Sequence, residues 1–142
     1  MSEKRQVFET WFQRVWSEED PAAIDELFPA DASAMGLGAH PVQGPAEFKL
    51  FQSTLCELIT DIAISIDKTV EQDEWISLAF TFCGVARSTG EPVKTTASLF
   101  GRIEDGKICE CYNFFDFMTL WGQLGFIPEN TFEQGLSGQK VV

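Results

Sequence analysis

Near residue 60 the spacing of apolar side chains changes from three-and-four to two, and this limits the possible folds more than any other feature of the chain. Upstream, EKRQVFETWFQRVW places Val7, Phe8, Trp11, Phe12, Val15 and Trp16 on one helical face. Ser2 stands where a cap for that helix belongs. SEEDPAAIDELF predicts a second, short helix with Asp20 as cap, Pro21 at its first turn and a stripe of Ile24, Leu27 and Phe28. A Gly- and Pro-rich stretch follows, with a short strand expected around Ala32 to Met35. Pro45 then opens a third helix, with Phe48, Phe51, Leu55 and Leu58 or Ile59 on one side.

Downstream the period is that of a strand. DIAISIDKTVEQ alternates Ile62, Ile64 and Ile66 with polar partners. WISLAFTFCGVAR, EPVKTTASLFGRI and KICECYNFF continue as three more strands, joined by STGEP and EDG turns. After Asp116 the helical spacing returns in Phe117, Leu120, Trp121 and Leu124, with Gly125 and Pro128 as stop signals. Helices grouped apart from a run of strands predict an α+β fold: a cone-shaped, curved antiparallel sheet, three N-terminal helices on one face, and a short C-terminal helix. The other face needs cover, commonly from a second copy of the chain. The 142 residues read as one domain, with a core from about 5 to 128 and a patternless tail from 129 to 142.

Charge narrows the partners. With 22 acidic against 10 basic residues the formal charge is −12, which repels phosphate backbones and anionic membrane surfaces. Nucleic acid and membrane are therefore not expected as partners. The N-terminal stretch has no uninterrupted apolar segment of the kind that directs secretion, so a cytoplasmic location and reduced cysteines at 56, 83, 109 and 111 are expected. No phosphate loop, dinucleotide fingerprint or metal-binding His pair occurs, so neither cofactor nor metal is expected.

Three stretches in order carry a resemblance: GLG and PVQGPAEFKLF between Gly36 and Phe51, FGRIEDGKI between Phe100 and Ile108, and CYNFFDFMTLWGQLG from Cys111 to Gly125. Over roughly residues 5 to 128 the chain resembles the SnoaL-like polyketide cyclases of the nuclear transport factor 2-like superfamily. In the third stretch Tyr112 stands where a related group has Trp. The resemblance implies a conical fold, an apolar pocket between sheet and helices, and a homodimer. It also implies a polar proton-transfer pair, a His and an Asp in the cyclases, at the positions of Leu99 and Asn113. Leucine transfers no proton, and the amide of Asn113 has none to give near neutral pH.

Which residues share the pocket face depends on the hairpin between the last two strands. A two-residue Asp105-Gly106 turn pairs Ile103 with Ile108; a three-residue Glu104-Asp105-Gly106 loop pairs Ile103 with Lys107. The three-residue loop agrees better with the resemblance. It sets Leu99 opposite Cys111 and gathers Ala97, Leu99, Gly101, Cys109, Cys111, Asn113 and Phe115 on one face. The expected ligand contacts are Asn113, Cys111, Phe115, Leu99, Trp11, Phe12, Met35, Phe48 and Phe82, with Trp16 and Phe80 as further wall. Asp116 and His40 are the candidate proton carriers, although Asp116 is also well placed to cap the last helix. Two functions stay open. One is a cofactor-independent cyclase- or isomerase-type enzyme acting on a small hydrophobic, carbonyl-bearing or polycyclic molecule. The other is a non-catalytic ligand-binding or dimeric interaction module.

Overall fold

A computed structural model describes residues 2–141. Helix α1 (Glu3–Trp11) is capped by Ser2, whose side chain accepts from the Arg5 amide. It does not run on as an α-helix: Phe12–Ser17 forms a π-helical turn. The short helix α2 (Ala22–Leu27) follows Pro21, and Asp20 Oδ1 accepts from the Ala22 amide at 2.9 Å. Strands β1 (Ser33–Met35) and β2 (Val42–Gln43) precede the long helix α3 (Gly44–Leu58). Strands β3 (Ile59–Gln72), β4 (Trp75–Ala86), β5 (Pro92–Glu104) and β6 (Lys107–Phe115) form the meander. Helix α4 (Phe117–Gln123) closes it, and the tail, expected to be patternless, carries one more short helix, α5 (Thr131–Leu136).

The six strands form one curved sheet in the order β2-β1-β6-β5-β4-β3, in which β1 runs parallel to β6 and every other pairing is antiparallel. Its inner face, which includes Ile76, Leu78, Phe80, Phe82 and Leu99, forms one core with Phe8, Trp11, Ile24, Phe48 and Leu55 of the helices. Fully buried side chains such as Phe8, Phe28, Phe82 and Leu120 contribute roughly 1.5–3 kcal/mol each through apolar burial. All four cysteines are free thiols.

The hairpin corrects the sequence reading. Asp105 and Gly106 make a two-residue turn with φ of 52° and 71°, and Ile103 pairs with Ile108. One residue later the register shifts, Arg102 facing Glu110, so that Cys109 is an extra residue on β6. The bulge restores the expected parity for Leu99, Cys111, Asn113 and Phe115. Two details differ: Leu99 lies directly opposite Asn113 rather than Cys111, and Ile108 rather than Cys109 is buried. A turn and a bulge together do what a longer loop was expected to do alone.

Candidate functional site

Between the inner sheet face and the helices lies an apolar cavity of about 60 Å³. Each wall comes from one face of one element. Phe8, Trp11, Phe12 and Trp16 project from α1 and the π-helical turn, Phe48, Phe51 and Leu55 from α3. Phe80 and Phe82 of β4, Leu99 of β5, and Ile108, Cys111, Asn113 and Phe115 of β6 form the floor. The rings brace one another: Trp11 and Phe48 meet edge-on at 4.9 Å, and Phe12 and Phe80 lie 4.8 Å apart.

Of the expected contacts, Asn113, Cys111, Phe115, Leu99, Trp11, Phe12, Phe48 and Phe82 line the cavity. Met35 does not: its side chain is exposed, while Ala34 and Leu37 on either side contribute to the wall. Alternation along β1 explains this, since only Ala34 of its last two residues turns inward. Phe8, Phe28, Ile64 and Phe117 also line it and were not singled out from the sequence. The signal was available for Phe8, Phe28 and Ile64, which lie on the apolar stripes already read, but a stripe alone does not separate cavity wall from solid core.

Asn113 is the one side-chain amide in the lining, where the other hydrogen-bonding groups are the indoles of Trp11 and Trp16 and the Cys111 thiol. Its Nδ2 donates to the Met35 carbonyl at 3.0 Å, and its Oδ1 accepts from the Cys111 thiol at 3.6 Å. The fold demands the close approach of this loop to β6. Gly36 has φ of 85°, and a β-carbon there would sit 1.9 Å from the Asn113 carbonyl oxygen. Cys111 is the only titratable lining residue, and burial pushes its thiol up to about 12, so it stays protonated near neutral pH.

Neither expected proton carrier lies in the cavity wall. Asp116 caps α4: Oδ1 accepts from the Thr119 amide at 3.0 Å and Oδ2 from the Thr119 hydroxyl at 2.7 Å. Three residues beyond Asn113, it has already left the strand. His40 is exposed in the loop before β2. Among the described residues no cluster of three or more His, Cys, Asp or Glu side chains is placed to hold a metal, and no helix is long and apolar enough to cross a membrane.

The outer sheet face has a different chemistry. Trp75 stacks on Phe100 at 4.5 Å, with Tyr112 beside them. Arg102 donates to Glu110 at 2.8 Å and to Glu104 at 2.9 Å, and the Tyr112 hydroxyl donates to Glu110 at 2.8 Å. The Arg102 guanidinium first, then Tyr112, holds the Glu110 carboxyl below its usual range.

A curved sheet wrapped around helices over an apolar cavity is the nuclear transport factor 2-like fold, and solved structures agree. A SnoaL-like protein from Jannaschia sp. CCS1 superposes with a TM-score of 0.76 at 13% identity, covering 89% of this chain and 94% of that one. TsrD from Streptomyces laurentii gives 0.73 at 18%, covering 87% and 95%. A protein with a ketosteroid isomerase-like fold from Catenulispora acidiphila, in complex with trimethylamine, gives 0.74 at 16%, covering 84% and 92%. The family model of SnoaL-like polyketide cyclases matches residues 6–124, and the chain belongs to that family. No curated protein sequence matches it significantly.

Proposed function

We infer that the chain is a ligand-binding member of its family: it holds a small, largely apolar molecule bearing a carbonyl or hydroxyl group, with Asn113 as the polar anchor and without acid–base catalysis by the protein. The composition of the cavity wall carries this reading. Apolar side chains surround a single amide, and the only titratable group among them is a thiol pushed up to about 12. Leu99 faces Asn113 directly, so the two positions where the resemblance implies a proton-transfer pair hold groups that move no proton near neutral pH. Asn113 keeps one amide hydrogen for a ligand oxygen beyond the one given to Met35, and its Oδ1 is met only by a weak thiol donor.

The test is a titration with 2-pentanone and with pentane, followed by NMR of the Asn113 side-chain amide and the Leu99 methyls. The ketone shifts both saturably, and pentane shifts only the methyls. Replacing the amide in Asn113→Leu removes one hydrogen bond worth about 0.5–1.5 kcal/mol and weakens ketone binding roughly 2- to 10-fold. Absence of saturable shifts with either molecule refutes the reading.

The outer face is proposed to pair with a second copy. Phe100 is 43% and Phe114 67% exposed, on neighbouring strands beside the Trp75–Tyr112 stack, an apolar strip of the kind that interfaces cover. Light scattering at micromolar concentration then gives a dimer, and Phe114→Glu a monomer; a monomeric parent protein overturns the pairing.

A further inference from the structure

The cavity is too small to hold a whole ligand of ordinary size. Its 60 Å³ is well under the roughly 150 Å³ of an engineered cavity that takes up benzene, and under the ~300 Å³ at which small-molecule pockets begin. A second space adjoins it. A surface groove of about 410 Å³ runs between the outside of the first helix and β3, lined by Arg5, Glu9, Gln13, Ser17 and Ala63. Phe12 and Ile64 belong to the linings of both spaces. Those two side chains are therefore the partition between the groove and the cavity.

One side of the partition stands on irregular backbone and the other is flanked by it. Phe12 begins the π-helical turn, in which the Glu18 amide reaches back to the Gln13 carbonyl and the Asp20 amide to Arg14. The Val15 carbonyl of this turn accepts instead from Gln52 Nε2 of α3 at 2.8 Å, and Gln52 is only 4% exposed. Opposite, β3 is the edge strand of the sheet, and its register shifts between Thr60 and Ala63 and again between Ile66 and Lys68, on either side of Ile64. π-Turns and bulges each depart from the lowest-energy ladder and concentrate beside sites where a side chain is re-aimed. Here Phe12 opens the π-helical turn and Ile64 stands in the short regular stretch between the two register shifts.

We propose that ligand reaches the cavity through this groove, with Phe12 as the gate, and that the bound molecule spans both spaces: a narrow, largely apolar end inside, whose oxygen meets Asn113, and a second neutral hydrogen-bonding group outside against Gln13 and Ser17. This rests on the ligand-binding reading above. Joined, the two spaces fall in the range of about 300–1,000 Å³ found for small-molecule sites. The outer group is neutral because the groove's one cation, Arg5, and its one carboxylate, Glu9, are already paired with each other at 2.9 Å. The ligand class is thus a slender neutral molecule with a polar group towards each end, such as a medium-chain hydroxy ketone or hydroxy amide.

The test uses 6-bromo-1-hexanol, whose bromine quenches the tryptophans of the cavity wall, in stopped-flow fluorescence of the whole chain. Phe12→Ala removes the gate and speeds both association and dissociation at least tenfold. Gln13→Trp, at an exposed position, fills the groove and slows association at least fivefold. Leu50→Trp, on a part of α3 outside both linings and 68% exposed, leaves both rates within twofold. Should Phe12→Ala fail to fold, Gln13→Trp decides alone. Saturable quenching in the parent protein with rates unchanged in both Phe12→Ala and Gln13→Trp overturns the gate and leaves ligand binding standing. Absence of saturable quenching in both the parent protein and Phe12→Ala overturns the two together.

Discussion

Replacing Gly36 by alanine tests how β1 and its following loop are locked onto the cavity floor. At φ of 85° a side chain costs roughly 1–2 kcal/mol in backbone strain alone. The new β-carbon would also stand 1.9 Å from the backbone oxygen of Asn113, a group that cannot swing aside as a side chain does. Relieving such overpacking costs about 1–3 kcal/mol more, for a total of about 2–5 kcal/mol. For a chain near this size that is a fall in Tm of roughly 5–15 °C. Gly90 is the control, with φ of 75° and open space around it, so that Gly90→Ala carries the strain without the clash, about 1–2 kcal/mol. Urea unfolding of both variants, with the slope unchanged, gives the comparison. Because Leu37 follows Gly36 and lines the cavity, Gly36→Ala also weakens ligand binding. A Gly36→Ala variant no less stable than Gly90→Ala refutes the packing argument.

Asp116→Ala removes the cap of α4 and lowers stability by about 0.5–2 kcal/mol in chemical denaturation while ligand affinity stays within twofold; a loss of binding without loss of stability would instead place Asp116 in the site. Cys111 sets a stability limit at high pH. Its folded thiol is raised to about 12 from an ordinary 9.0, so the protein keeps the proton that the unfolded chain releases above pH 9, and stability falls as pH rises from there. Between pH 8 and 10 the loss from this thiol is of order 1 kcal/mol, and Cys111→Ala flattens the slope accordingly in pH-dependent urea unfolding. An unchanged slope would mean that the thiol is not buried in the folded protein.

Long-range order was legible where one physical signal dominated. The change of period near residue 60, the presence of a hairpin at Glu104 to Gly106 and the caps at Ser2 and Asp116 each rest on a local preference that nothing in the fold opposes, whereas the length of that hairpin's turn was misread. The π-helical turn was not legible, because Phe12, Val15 and Trp16 have the same spacing in either helix type over a single turn. What selects it includes Gln52, 37 positions from the Val15 carbonyl it satisfies. The bulge at Cys109 was hidden for a related reason: Ile108, Cys109 and Cys111 are all acceptable on a buried face, so composition could not choose which turns inward. For the candidate site, the face shared by Leu99, Cys111, Asn113 and Phe115 came through. Met35 did not, since a three-residue strand offers too few alternations to fix its parity.

The most direct test of the central claim is native mass spectrometry of the protein as purified, alongside Asn113→Leu. The account predicts one small neutral molecule retained per chain, released on gentle activation and largely missing from Asn113→Leu. Retention of the same molecule in equal amount by both proteins would contradict Asn113 as the anchor. A parent protein that carries nothing, and takes up nothing when 2-pentanone is supplied, would contradict the cavity as a binding site.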